Sequence, residues 1–250
     1  MSLLTKVWSA ILLFSFVAVC NFTPAAADTA VPKDRFVMTE TNGTVSAEPM
    51  IVGGTQARQG EFPCYTQGLG CGGSLIWKDI VLSAGHCNGG VWDNALIGAY
   101  QYQTVKYGAE RIKVDRNIVH PGFSLHNMHY DYRILRLNYL PRLTHQICTL
   151  NTHGNVPSAG AKVTIIGLGS IGQNTEKHPE FLNKAELKMV DFASCNKVFQ
   201  GTLFRETMIC ATGGTTTDTC FGDSGGPLFD AEGNVAGITS FGYGCANGYP

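Results

Sequence analysis

Strand-like runs of four to six residues recur along this chain, with Gly, Pro, Asn or Asp between them. They fall at 73–76, 79–84, 95–98, 111–114, 134–137, 162–166, 185–190 and 234–239. A turn at Trp77-Lys78 separates the first two. No long helical periodicity stands out; a helix is expected only over part of 192–197. Short strands with turn residues between them indicate antiparallel barrels or a sandwich. The 30 glycines among 250 residues point the same way. At 44% hydrophobic and 15% charged content, the chain suits one globular unit or two small barrels sharing an interface.

The N-terminus reads as a secretory signal over 1–27. Lys6 is the charged start, 11–19 is apolar, and Ala25-Ala26-Ala27 offers a cleavage site before Asp28. The apolar run is short for a bilayer span, and no second run is long enough. This predicts a secreted protein with no membrane association. Residues 28–50 are polar and aperiodic, as a pro-segment would be, and Asn42-Gly43-Thr44 within them is a glycosylation sequon. Of nine cysteines, Cys20 falls in the signal, leaving an even set of eight. In a secreted chain such a set argues for disulfides, and no C-x-x-C pair supports zinc. The formal net charge of −1, without a basic stripe, gives no sign of a nucleic-acid partner.

The stretch Cys220-Phe221-Gly222-Asp223-Ser224-Gly225-Gly226-Pro227 suits neither helix nor core. It suits the presentation of one hydroxyl and several backbone N–H groups. A nucleophilic serine needs a base, and the base an orienting carboxylate. Ser83-Ala84-Gly85-His86-Cys87 contains a histidine, the side chain best placed to take and return a proton near neutral pH. Asp131 stands before the apolar strand that contains Ile134-Leu135-Arg136-Leu137. Singly, such a histidine is more often structural and such an aspartate a common strand opener; the combination carries the weight.

In these motifs, from Ile51 to Pro250, the chain resembles the chymotrypsin-like serine protease family. Ile51-Val52-Gly53-Gly54 matches the mature start. Ser83-Ala84-Gly85-His86-Cys87 stands where Thr-Ala-Ala-His-Cys is usual, and Gly222 to Pro227 matches Gly-Asp-Ser-Gly-Gly-Pro. The order His, Asp, Ser is also the family's. The resemblance implies an all-β fold of two antiparallel six-stranded β-barrels, about 51–150 and 151–250, with the site between them. It implies His86, Asp131 and Ser224 as catalytic residues, and the N–H groups of Gly222 and Ser224 as the oxyanion hole. It pairs Cys71 with Cys87, Cys195 with Cys210 and Cys220 with Cys245, which leaves Cys64 with Cys148. It implies protein or peptide substrates, protein protease inhibitors as further partners, and no cofactor.

Within this register Asp218 falls at the base of the specificity pocket, favouring Arg or Lys in the substrate. Ser240 lines the cleft and Gly242 keeps the pocket mouth open. Phe241 replaces the usual Trp but keeps an apolar wall. Ala99 after Gly98 replaces the glutamate of the family's calcium-binding members, so no such site is expected. His120, His126 and His129 read as loop histidines rather than metal ligands.

Three departures stand out. Met50 precedes Ile51, where tryptic zymogens carry Arg or Lys. Cleavage there would free the Ile51 amine to pair with Asp223. On an extended strand Arg133 shares a face with Asp131, within reach of competing with His86 for it. Finally, the sequence stops at Gly248-Tyr249-Pro250, before the family's last strand and helix, so the second barrel is expected incomplete at the C-terminus. The alternative to a secreted endopeptidase is a non-catalytic homologue acting as a binding protein.

Overall fold

The computed structural model describes residues 17–20 (backbone only), 51, 53–142, 145–151, 155–172, 175 and 177–250. Two short strands come first, β1 (Val17–Cys20) and β2 (Thr55–Gln56). Then come β3 (Tyr65–Gln67), β4 (Gly72–Trp77), β5 (Ile80–Ser83), β6 (Asn94–Ile97), β7 (Glu110–Val119) and β8 (Arg133–Leu137). These six close into an antiparallel barrel in the order β3-β4-β5-β8-β7-β6. Leu75, Val81, Leu96, Ile112 and Leu135 are buried within this unit. Each aliphatic side chain taken out of water contributes about 1.5–3 kcal/mol.

The second half holds β9 (Lys162–Gly167), β10 (Asn183–Val190), helix α1 (Phe192–Val198), β11 (Cys210–Thr212), β12 (Pro227–Phe229) and β13 (Val235–Tyr243). Along β10, Asn183, Ala185, Leu187 and Met189 are buried and the residues between them are not, the period of two expected of a strand with one core face. α1 is capped by Asp191, whose carboxylate accepts the Ser194 N–H at 2.9 Å. The strands run β1-β13-β12-β9-β10-β11, with β2 paired to β10. The all-β expectation holds: one barrel is closed and the second unit is an open seven-stranded sheet among the described residues. β1, from the expected signal, lies parallel to β13, with Val17 opposite Thr239 and Cys20 opposite Tyr243. The rest of 1–27 and all of the expected pro-segment lie outside the described residues.

Several strand limits differ from expectation. β4 runs through Trp77, so the turn is at Lys78-Asp79, where Asp79 favours it. β7 extends well past 111–114, because strand pairing continues through polar residues such as Arg116 and Asn117. β3 has no apolar run to announce it: its Thr66 and Gln67 are buried polar residues.

Four disulfides join Cys64 to Cys148, Cys71 to Cys87, Cys195 to Cys210 and Cys220 to Cys245. The two halves also meet through the backbone: Gly72 N–H donates to Ser224 O at 2.7 Å, and Leu182 N–H to Tyr100 O at 2.6 Å.

Candidate active site

β5 and β8 are paired with Ser83 opposite Arg133, so the turn leaving β5 lies beside the segment entering β8. The first carries His86 and the second Asp131. His86 N–H donates to Asp131 Oδ1 at 2.8 Å, and His86 Nδ1 lies 2.7 Å from Oδ2. Ser240 Oγ, from β13, also donates to Oδ2. Asp131 is fully buried, and the His86 side chain is 19% exposed. A carboxylate held by three donors turns one ring nitrogen inward and leaves Nε2 for the cleft. The Cys71–Cys87 bridge pins the turn next to His86.

Gly85 explains one departure in the histidine motif. A Cβ there would lie 3.0 Å from the Phe123 ring and 3.1 Å from Asp131 Oδ1. Glycine lets Phe123 pack against the turn without displacing the carboxylate.

Arg133 does not compete for Asp131. Its Nε donates to Ala84 O at 2.8 Å, Nη1 to Asn117 Oδ1 at 2.9 Å, and Nη2 to Gly85 O and Asn88 Oδ1. The chain is not extended at Asp131: Tyr130 just before it is in the left-handed region at φ +52°, Tyr132 N–H donates back to Tyr130 O at 2.7 Å, and β8 begins only at Arg133. The extended spacing that would put them on one face therefore does not apply.

Ser224 enters from the other half, between β11 and β12. Its carbonyl accepts from Gly72 N–H, and Cys87 Sγ lies 3.7 Å from the same oxygen, one residue from His86. Gly225 has φ +79°, and a Cβ on it would stand 2.2 Å from Ser83 Oγ and 2.6 Å from Gly72 O. Only glycine lets this elbow press into the first barrel. Gly225 N–H donates to Thr239 O at 2.8 Å, and Thr239 N–H to Gly226 O at 2.9 Å, tying the elbow to β13.

Gly222 also has positive φ, at +97°. Asp223 is fully buried; Oδ1 accepts from Gly169 N–H at 2.8 Å and Oδ2 from Cys220 N–H at 2.9 Å. Burial pushes its pKa up to about 6 against those two hydrogen bonds, with Asp218 adding to the rise. Ile51 is buried with Val163, Ile165 and Leu187. Gly167 and Gly169 form part of this site without belonging to any of the motifs. A Cβ at either would meet the Asp223 carboxylate, at 1.9 and 2.5 Å from Oδ1. Their signal was the spacing in Gly167-Leu168-Gly169 at the end of a strand.

Asp218 Oδ1 accepts from Thr219 N–H and Oδ2 from Ala246 N–H, both at 2.8 Å. Burial raises its pKa above the ordinary aspartate value, and the two N–H groups partly offset this. Among the described residues it has no cationic partner. Phe241 is buried, edge-on to Phe199 with ring centroids 5.7 Å apart, and Phe199 stacks on Tyr243 at 4.8 Å. Gly242 lies between these rings in β13. Ser240 presents its hydroxyl to Asp131.

His129 stacks on Tyr130 and Phe204, and His120 on Tyr130. Among the described residues no three His, Cys, Asp or Glu side chains are grouped to hold a metal ion, and no helix is long and apolar enough to cross a membrane. A 660 Å³ cavity beside Glu61, Phe62, Lys184 and Phe229 shares no residue with this constellation.

A family model described as Trypsin matches residues 51–250. Trypsin iota of Drosophila melanogaster is 36% identical over 189 residues, covering 72% of this chain and 71% of its own length. Kallikrein-8 of Rattus norvegicus is 33% identical over 177 residues, covering 70% and 67%. Trypsin-3 of Salmo salar is 31% identical over 205 residues, covering 78% and 83%.

Proposed function

Because this chain belongs to the trypsin family of serine proteases, we propose that it is a secreted endopeptidase cutting after Arg or Lys, with His86, Asp131 and Ser224 as its catalytic residues. The observation that supports this most is the Asp131–His86 pair, in which the carboxylate engages both the backbone and the ring of one histidine. Ser224 Oγ attacks the scissile carbonyl carbon and passes its proton to His86 Nε2. The imidazolium returns that proton to the leaving amine as the C–N bond breaks, giving an acyl-enzyme. Water, deprotonated by His86, then releases the acid and restores Ser224. Asp131 holds the ring and stabilises its cation. The N–H groups of Gly222 and Ser224 take the oxyanion.

The proposed domain plan is a signal over 1–27, a pro-segment over 28–50 and the peptidase over 51–250. Hydrolysis of the Met50–Ile51 bond frees an amine for Asp223 and orders the oxyanion loop. Two features support such a switch. Asp223 is buried with no cation paired to it among the described residues, and Ile51 is a buried β-branched residue at φ +38°, a conformation that costs about 1–3 kcal/mol. With Met50 before the cut, the activating protease is not trypsin-like.

Asp218, half-buried and without a cationic partner among the described residues, supports Arg or Lys specificity, since a substrate cation supplies the charge it lacks. Replacing Asp218 by Ser is expected to lower kcat/KM on Arg-ending peptides by about 100-fold or more, the few kcal/mol lost with a buried partner charge. Phe-ending peptides, poor substrates of the unmodified enzyme, should be affected little. Preference of the unmodified enzyme for Phe would refute this role.

A further inference from the structure

Arg133 is the largest fully buried side chain in the molecule's described part, and it forms no ion pair there. Its partners are four oxygens, of which three belong to residues 84, 85 and 88 around His86. The fourth, Asn117 Oδ1, belongs to β7 and holds the guanidinium from the opposite side. Removing a cation from water is costly, and a strand position pointing inward would ordinarily hold an aliphatic residue. Here the rigid fork of donors matches a cluster of acceptors that a methionine could not satisfy and a lysine only in part.

The key element is the peptide unit joining Gly85 to His86. Its C=O accepts from Arg133 Nη2, and its N–H donates to Asp131 Oδ1. A peptide unit is planar, so fixing both ends fixes its orientation, and with it the direction in which the His86 side chain leaves the backbone. We propose that Arg133 is a positioning residue for His86: it clamps the Gly85–His86 peptide against Asp131, so that the imidazole meets the carboxylate in a single orientation. The role rests on His86 acting as the base. Arg133 itself touches neither substrate nor reacting atoms.

The test compares the activated protein with its Arg133→Met, Arg133→Lys and Asn117→Ala variants. Readouts are the rate at which a fluorophosphonate labels Ser224, kcat and KM on one peptide, the unfolding midpoint, and the downfield NMR resonance of the His86 Nδ1 proton. For Arg133→Met, labelling and kcat should fall about 10- to 100-fold with KM within about twofold, since a small misplacement of a catalytic group costs that much. The Nδ1 proton should shift or broaden, and Arg133→Lys should recover part of the rate. Should Arg133→Met fail to fold, Asn117→Ala decides, because it loosens the guanidinium without touching the His86 turn; its labelling rate should fall in the same direction. Folded variants with unchanged labelling, unchanged kcat and an unmoved proton, losing only thermal stability, would overturn the proposal. Should the unmodified protein not label at all, the reading of His86 as base fails, and the proton still decides whether Arg133 sets the His86–Asp131 geometry.

Discussion

Among the described residues no cation pairs with the buried Asp223 carboxyl. Its carboxyl holds a proton up to about pH 6 because burial disfavours the anion, whereas an unfolded aspartate releases it near about 3.9. Between those values the folded chain binds more protons than the unfolded one, so the stability contributed by this group is full below about pH 4 and is lost as pH rises through 6. Relative to Asp223→Asn, the uncut chain should lose about 2 kcal/mol of unfolding free energy from pH 4 to 7. Parallel pH profiles for the two proteins would contradict this. If, as proposed, a cut before Ile51 pairs its new ammonium with Asp223, the folded pKa falls and the sign reverses, so that stability is lost on acidification instead. At this scale the motifs marked His86 and Asp131, which lie 2.7 Å apart. The partners of Arg133 were not legible, because two of its acceptors are backbone carbonyls, which leave no mark in a sequence. Gly167 and Gly169 are illegible for a related reason: a glycine at the end of a strand reads as a turn, and only the Asp223 carboxylate behind it gives the missing Cβ a meaning.

Among the elements, β3 depends on its neighbours more than on its own residues. Its three residues include two buried polar ones, and the chain just before it is anchored by Cys64, whose carbonyl accepts from Leu75 N–H at 2.9 Å. Cys148 N–H donates to Leu75 O at 2.8 Å, so the Cys64–Cys148 bridge and β4 secure the same edge of the barrel. The bridge closes a loop with a sequence separation of 84, long enough to restrict the unfolded chain strongly. Replacing both cysteines by serine should lower stability by about 2–4 kcal/mol, as seen in thermal or denaturant unfolding. Since neither residue touches His86 or Ser224, labelling below the unfolding transition should not change. An unaltered midpoint would show that the bridge constrains nothing. Strands with aliphatic runs, such as β5 and β9, could be read directly from sequence. β3, β11 and β12 could not, because strands of three residues are fixed by pairing rather than by pattern.

For the whole molecule, the site exists only where the two halves meet. His86 and Asp131 come from the closed barrel, Ser224 and Ser240 from the second sheet, and the Gly72–Ser224 and Gly225–Thr239 hydrogen bonds hold the elbow between them. The all-β architecture was legible because many short runs were separated by turn residues. The pairing of β1 along β13 was not, because a parallel partner far away in sequence leaves no local signal. The central claim, that this juxtaposition makes Ser224 a nucleophile, is tested most directly by fluorophosphonate labelling of protein whose N-terminus has been sequenced as Ile51. The account predicts covalent labelling at Ser224, abolished by Ser224→Ala and slowed about 1,000-fold or more by His86→Ala. Failure of such correctly cut, folded protein to label would contradict it, and would favour a homologue that binds partners without cleaving them.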